Sequence, residues 1–252
     1  MNELKFRFYE ELNDFLPEKR KKIIFDYNIE GNPSVKDVVE SFGVPHTEVD
    51  LIIVNGVSVN FDYNLQDGDF VSVYPVFENM DISELTHLRE KPLRNPIFIA
   101  DIQLGKLAKY LRMLGFDTLY SNKYKEKEII KISNEEKRAI LTRNIFLLKN
   151  SRVVCGYWIR SQDAHQQVIQ VLHTSDLLSD IKLFKRCSEC NGILTLVPKA
   201  EIEDKLLPNT IKYFTEFHQC TICSKIYWKG SHFKKMLNFS EDLRKEVESL
   251  FT

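Results

Sequence analysis

The first eighty residues alternate apolar and polar positions, which predicts strands with one buried face. Leu4, Phe6 and Phe8 share a face in the first stretch. Similar strand signals follow in KKIIFDYNI, VDLIIVNGVSV and LQDGDFVSVYPVF. Between them, SVKDVVESFG predicts a helix that begins after Ser34 and ends at Gly43. The resulting order, ββαβββ, predicts a β-grasp (α+β) domain over residues 1–80.

A different pattern begins at Ile97, after a polar stretch with two prolines that we interpret as a linker, residues 81–96. The short apolar runs IFIAD, FDTLY, AILT and VVCGYWI alternate with amphipathic segments of helical period. Strands alternating with helices predict a parallel sheet covered on both faces, a three-layer α/β domain over residues 97–180. The periodicity then breaks. We assign residues 181–240 to a metal-binding ribbon and residues 241–252 to a C-terminal helix or tail.

The charge is distributed unevenly along the chain, although the net charge is only −1. Residues 1–80 carry a net charge of −8 and residues 81–252 a net charge of +7. The basic part is the better candidate for binding nucleic acid, and a solubility effect is the alternative interpretation. No apolar run is long enough to span a membrane, and the first residues do not look like a signal peptide. We therefore expect a cytoplasmic protein.

Four of the five cysteines form two CxxC pairs, Cys187 with Cys190 and Cys220 with Cys223. Two such pairs complete a tetrahedral Cys₄ site, so we expect a structural zinc ion with no open coordination position. A redox dithiol is the weaker alternative, because there are two pairs. Cys155 stands alone in an apolar run, which favours a buried thiol in the core.

Polar side chains follow the predicted strands of the α/β domain. Asp101 ends the first strand, Asn144 follows a later one, Asp163 follows another, and Glu126 begins a helix. Oxygen ligands at strand ends can hold Mg²⁺ or Mn²⁺. Each residue also has a structural interpretation: Asp163 as a helix N-cap, and Glu126 as a favourable charge at a helix N-terminus. Asp101 is harder to explain in that way, because a buried carboxylate needs a partner.

Basic and aromatic residues near these positions are candidates for contact with nucleic acid. Lys106, Arg112 and Arg143 could contact phosphates, or could belong to a solvated face. The segment KIYWKGSHFKKM, which contains Trp228 and Lys229, interleaves aromatic rings with lysines. This pattern suits base stacking, and a small ribbon core with a solvated edge explains it equally well.

Residues 97–235 resemble the Mut-seven C-terminal RNase domain, a PIN-like nuclease unit that ends in a zinc ribbon. The matching stretches are DIQLGKLAKYLRMLGFDTLY, ILTRN, YWIRSQDAHQQ, RCSECNGIL and CTICSKIYWKGSHFKKM. Residues 4–78 resemble the ubiquitin-like domain often fused ahead of it, through RFYEELNDFLP, PSVKDVVESFGVPHTEVDLIIVNG and LQDGDFVSVYPVF.

The resemblance implies a group of metal-binding acids at strand ends. Asp101 matches the first acid, and Glu126 stands near the position of another. Asn144 stands where the family pattern has Asp, which removes one negative charge. We expect this change to weaken metal binding and to attenuate or abolish activity.

These patterns leave three hypotheses. The first is an Mg²⁺- or Mn²⁺-dependent ribonuclease that uses Asp101, Glu126, Asn144 and Asp163. The second is a non-catalytic RNA-binding or adaptor protein with a retired nuclease fold. A ubiquitin-like sulfur carrier is disfavoured, because VYPVFENMD runs on without the Gly-Gly tail that such carriers need. The protein partner of the β-grasp domain is unknown at this level, as are the RNA and the mode of cleavage.

Overall fold

The computed structural model describes residues 2–75, Leu88 and residues 97–250. The chain divides into two compact units. One contains residues 1–96 and 133–158, and the other contains residues 97–132 and 159–252.

The first unit begins with a mixed five-stranded sheet. Its strands are β1 (Asn2–Phe8), β2 (Phe25–Ile29), β3 (Val49–Val54), β4 (Val57–Val59) and β5 (Phe70–Pro75), in the order β2-β1-β5-β3-β4. β1 pairs in parallel with β5, and the other pairs are antiparallel. Helix α1 (Val35–Ser41) begins at Ser34, whose hydroxyl accepts the N–H of Asp37. The alternation in β1 places Leu4, Phe6 and Phe8 in a core that also contacts Leu88.

The same unit contains a strand–helix–strand segment, residues 139–158. It consists of β8 (Ala139–Thr142), α4 (Ile145–Leu148) and β9 (Gly156–Trp158). β8 and β9 pair in parallel, with Thr142 opposite Trp158. All four residues of β8 are buried, as the apolar run AILT predicts.

The second unit begins with β6 (Phe98–Ala100), α2 (Gly105–Met113) and β7 (Thr118–Tyr120), followed by the start of α3 (Glu126–Glu136). β6 and β7 pair in parallel. Leu107, Ala108 and Leu111 form the buried face of α2. Helix α5 (Ala164–Thr174) packs against α2.

The rest of the second unit contains a three-stranded antiparallel sheet, β10 (Leu194–Val197), β11 (Phe217–Cys220) and β12 (Ile226–Trp228), with α6 (Pro208–Tyr213) between the first two strands. Helix α7 (Ser231–Glu248) packs against α5. The ring of Phe239 on α7 lies 4.9 Å from that of Tyr110 and 5.5 Å from that of His165.

The predicted fold class is confirmed: a β-grasp sheet comes first, parallel strands lie in the middle of the chain, and four cysteines cluster near the C-terminus. The predicted linker, residues 81–96, lies outside the described residues except for Leu88. The domain boundaries remain predictions. One local expectation was wrong: Cys155 is partly exposed, because β9 begins only at Gly156. Within the described part of the chain, no helix combines the length and apolar character needed to cross a membrane.

Candidate functional site

The four predicted cysteine ligands converge on one point. Their sulfur atoms all lie within 4.8 Å of one another. Cys187 Sγ lies 3.6 Å from Cys223 Sγ, and Cys190 Sγ lies 3.4 Å from Cys220 Sγ. A tetrahedral zinc ion with Zn–S bonds of about 2.3 Å places its sulfurs about 3.8 Å apart. The cluster therefore fits a metal ion such as zinc, and all four thiols are free of disulfides.

Each CxxC pair lies on a tight turn that brings its two thiols together. In the first, the N–H of Asn191 donates to the carbonyl of Cys187 at 3.0 Å; in the second, the N–H of Ser224 donates to that of Cys220 at 3.0 Å. Asn191 and Ser224 both adopt positive φ, +70° and +59°. We call these turns the first and second knuckles, residues 187–192 and 220–225. Small polar residues suit such positions, because they tolerate the left-handed region.

Hydrogen bonds stabilise the negative charge of the first thiolate. The Cys187 sulfur is 3.1 Å from the hydroxyl of Tyr227. Burial raises the pKa of Cys187, but the bond from Tyr227 and the N–H groups of Cys190 and Glu189 outweigh it, so the pKa falls to about 7. Because the thiolate is the metal-binding form, this environment favours coordination.

Arg112 connects the first knuckle to helix α2. The sequence alone did not predict this connection. It is 4% exposed. Its Nε donates to the carbonyl of Thr118 at 2.8 Å and its Nη1 to the carbonyl of Glu189 at 2.7 Å. Burial lowers the pKa of Arg112, while the charges of Cys190 and Cys187 oppose that shift. Phosphate contact by Arg112 remains a prediction, but its guanidinium already binds two carbonyl groups.

Further polar contacts hold the knuckle on the end of α2 and on β7. Asp117 accepts hydrogen bonds from Arg186 Nη2 at 2.7 Å and from Asn191 Nδ2 at 2.8 Å. The N–H of Thr118 donates to Asn191 Oδ1 at 3.1 Å. Lys109 lies 3.5 Å from the carboxylate of Glu189 on the exposed side. The first knuckle is therefore bound to α2 and β7 by side chains from both sides.

Asp101 follows β6 directly and is 8% exposed. Its carboxylate accepts the N–H of Ile102 at 2.6 Å and caps the short 3₁₀ turn Ile102–Leu104 that precedes α2. The sequence placed this residue correctly at the end of a buried strand. Its metal-binding role remains a prediction.

Asn144 follows β8 and caps α4. Its Oδ1 accepts the N–H of Phe146 at 3.0 Å, and its own N–H donates to Thr142 Oγ1 at 2.9 Å. The adjacent Arg143 is partly buried, and its Nε is a buried donor without a hydrogen-bond partner among the described residues. A guanidinium donor in this state suits an incoming anion.

Asp163 and Glu126 occupy helix N-termini, as their structural interpretations expected. The carboxylate of Asp163 accepts the N–H groups of His165 and Gln166, at 2.9 and 3.0 Å. The Gln166 bond is the main cause that lowers the pKa of Asp163, and the nearby charge of Lys106 contributes. Glu126 is exposed in the first turn of α3.

The four-cysteine cluster is the one group of three or more Cys, His, Asp or Glu ligands that the described residues bring together. The acid site as a whole therefore remains a prediction. Lys106, which is exposed on α2, interacts electrostatically with Asp163.

The aromatic and basic residues of the ribbon have partners of their own. Trp228 is partly buried, with its ring centroid 6.4 Å from those of Phe214 and Phe217. Lys229 pairs with Glu216 at 2.8 Å, in an exposed position. These contacts fit the ribbon-core interpretation, and base stacking by Trp228 remains a prediction.

Family models match both parts of the chain. The Mut7-C RNAse domain matches residues 96–240, and the Mut7-C ubiquitin model matches residues 1–81. The first covers more than half of the sequence, so the chain belongs to the Mut7-C RNAse domain family and carries the ubiquitin-like domain at its N-terminal end. Neither the curated proteins nor the solved structures give a significant match to it.

Proposed function

We propose that this protein is a metal-dependent ribonuclease with a structural zinc ion. The observation that carries the proposal is Asp101, a buried carboxylate directly after a parallel strand, in a chain that belongs to an RNAse domain family. Parallel strands place their carboxyl ends at one edge, which is where α/β proteins bind ligands.

Asp101, Glu126 and Asp163 would supply carboxylate ligands to Mg²⁺ or Mn²⁺, and Asn144 an amide oxygen. This donor set suits a hard cation, because all the ligands are oxygen atoms. When bound, such an ion activates water and stabilises charge on the phosphodiester. Asn144 contributes no charge, so it lowers the affinity for the cation and slows the reaction.

The basic residues would bind the RNA backbone. Arg143 has a guanidinium donor, Nε, with no hydrogen-bond partner in the described part of the chain, and guanidinium groups bind phosphate through two hydrogen bonds. Lys106 lies close enough to Asp163 to affect its pKa, so phosphate held by this lysine would lie near a candidate ligand. Trp228 and Lys229 would extend the RNA contact along the ribbon.

The zinc ion would hold the two knuckles together and take no part in the reaction. Four cysteine ligands leave no coordination position for a substrate. Its effect on the nuclease is indirect, through the contacts of Arg112 and Asp117 with the first knuckle.

A non-catalytic RNA-binding protein is the second candidate, and Asn144 favours it. Its amide oxygen is engaged in capping α4, which is a structural use of the side chain. In this case the basic residues would bind RNA without cleavage.

Cleavage of a labelled pool of structured RNA with Mn²⁺, Mg²⁺ or EDTA separates the candidates. The test compares the wild type with Asp101→Asn and Asn144→Asp, and uses Asp242→Asn, an exposed acid on α7, as the matched control. If the protein is a ribonuclease, the wild type cleaves only with the metal, Asp101→Asn loses cleavage and Asn144→Asp cleaves faster than the wild type. RNA binding without cleavage in every variant, measured by gel shift, would favour the second candidate.

A further inference from the structure

The ubiquitin-like domain contacts the strand–helix–strand segment, residues 139–158, through a small set of polar residues. Lys149, directly after α4, donates through Nζ to the carbonyl of Glu40 in the last turn of α1, at 2.8 Å. A cation at that position also interacts favourably with the helix dipole. The contact therefore joins the ends of two helices.

His46 bridges the same two parts of the chain. Its Nδ1 is 2.6 Å from the Glu40 carboxylate, and its Nε2 is 2.9 Å from the carbonyl of Val153. Both partners can only accept hydrogen bonds, so both are satisfied when each ring nitrogen carries a proton. The ring is 8% exposed, and water is therefore a poor substitute for either partner.

Glu48 binds the backbone of β9. The N–H of Trp158 donates to Glu48 Oε1 at 2.5 Å, although Trp158 also lies opposite Thr142 in the β8–β9 pair. Glu48 is 5% exposed, so this N–H compensates for part of the cost of burying its charge. The ring centroid of Phe15 lies 4.8 Å from that of Trp158.

We propose that the ubiquitin-like domain acts in cis as a clamp on residues 139–158. Its surface, formed by Phe15, Glu40, His46 and Glu48, binds this segment and does not bind a separate protein. Buried donors and acceptors on both sides match one another, and they would lose their partners if the domain moved away.

The clamp has a mechanical consequence for the segment. Helix α4 has four residues, too few to be stable without outside contacts. Asn144 caps its first turn, and Lys149 holds its other end against α1. The clamp therefore fixes the position of Arg143 and Asn144. This inference concerns docking, and its test measures no activity, so it stands or fails separately from the proposed ribonuclease.

Hydrogen exchange of the full chain tests the clamp. In the double variant His46→Ala/Glu48→Ala, we expect amides of residues 139–158 to exchange about tenfold faster or more, as a locally opened unit does. Amides of β10 and β11 should not change. Asp26→Ala, which breaks an exposed pair with Lys5 in the same domain, is the matched control and should leave residues 139–158 protected.

Unchanged exchange of residues 139–158, with β1 still protected, would overturn the proposal. If the double variant also exposes β1, Lys149→Met decides, because it removes a contact from the segment side and leaves the ubiquitin-like domain intact. Faster exchange at residues 139–158 in Lys149→Met supports the clamp, and unchanged exchange overturns it. In a Trp228→Phe background, where Trp158 is the remaining tryptophan, its emission should shift to the red in the double variant.

Discussion

The Nη1 group of Arg112 donates to the backbone carbonyl of Glu189 at 2.7 Å, and this bond joins helix α2 to the first knuckle. Glu189 lies between Cys187 and Cys190, so the bond orients the loop that carries both ligands. A divalent ion with four thiolate ligands would have a net charge of −2, which the buried guanidinium would partly balance. We therefore expect metal binding at the cysteine cluster to be coupled to the position of α2, which begins four residues after Asp101.

Arg112→Met should lower the affinity for zinc by about 10- to 100-fold, the range typical for residues that support metal ligands. Competition with a chromophoric chelator measures the affinity directly. Lys109→Met is the matched control, because Lys109 faces the same Glu189 from an exposed position, and its affinity should change little. Arg112→Lys keeps the charge and loses the paired hydrogen bonds, so its affinity should fall between those of the wild type and Arg112→Met. Equal zinc affinity in Arg112→Met and Lys109→Met would contradict the coupling.

Cys223→Ser should abolish the tetrathiolate site, although Cys223 is the most exposed of the four ligands. Loss of one thiolate leaves a metal ion with only three cysteine ligands, so metal content and melting temperature should both fall. Cobalt substitution followed by absorption spectroscopy reports the number of thiolate ligands. Cys155→Ser, at the cysteine outside the cluster, should retain the full cobalt spectrum. Retention of that spectrum by Cys223→Ser would mean that Cys223 is not a ligand.

Asp163→Asn should reduce the acid sensitivity of the fold. Hydrogen bonds from the Gln166 and His165 N–H groups lower the pKa of Asp163 in the folded state. A carboxylate with a lowered pKa stabilises the fold above its unfolded pKa of about 3.9, and this contribution is lost as the pH falls through the folded value. Asparagine still caps α5 but does not titrate. Melting temperatures of the wild type should therefore fall more steeply than those of Asp163→Asn below about pH 4. Parallel curves would show that the cap does not depend on the charge.

The sequence predicted the elements better than the contacts between them. The run AILT forms a buried strand, and FRF belongs to a strand with one buried face, because apolar side chains are stabilised in the core. The CxxC spacing defined the cysteine cluster. From the sequence, Arg112 could either contact phosphate or belong to a solvated helix face, and both interpretations place its side chain at the surface. Its burial depends on the first knuckle, which lies more than seventy residues later. His46 and Glu48 gave no signal at all, because their partners in residues 139–158 are backbone groups, which any sequence supplies.

Gly115→Ala should destabilise the junction between α2 and the chain that leads into the first knuckle. Gly115 ends α2 with φ +100°, and a Cβ added there would lie 2.3 Å from the carbonyl oxygen of Lys182. The backbone of Lys182 is held in place, because its N–H donates to the carbonyl of Leu114 at 2.8 Å. The Lys182 carbonyl therefore cannot move away at low cost. Strain at positive φ costs about 1–2 kcal/mol, and steric overlap adds about 1–3 kcal/mol.

Gly31→Ala separates the cost of positive φ from the cost of steric overlap. Gly31 has φ +70°, and no atom lies within 4 Å of the added Cβ. It should show only the cost of the backbone conformation, about 1–2 kcal/mol. Thermal melting of both variants, with zinc and with a chelator, gives the comparison. We expect Gly115→Ala to melt at a lower temperature than Gly31→Ala and to bind zinc more weakly, because the displaced backbone leads directly to Cys187. If both variants melt at the same temperature and retain the same zinc affinity, the close approach of Lys182 does not constrain the knuckle.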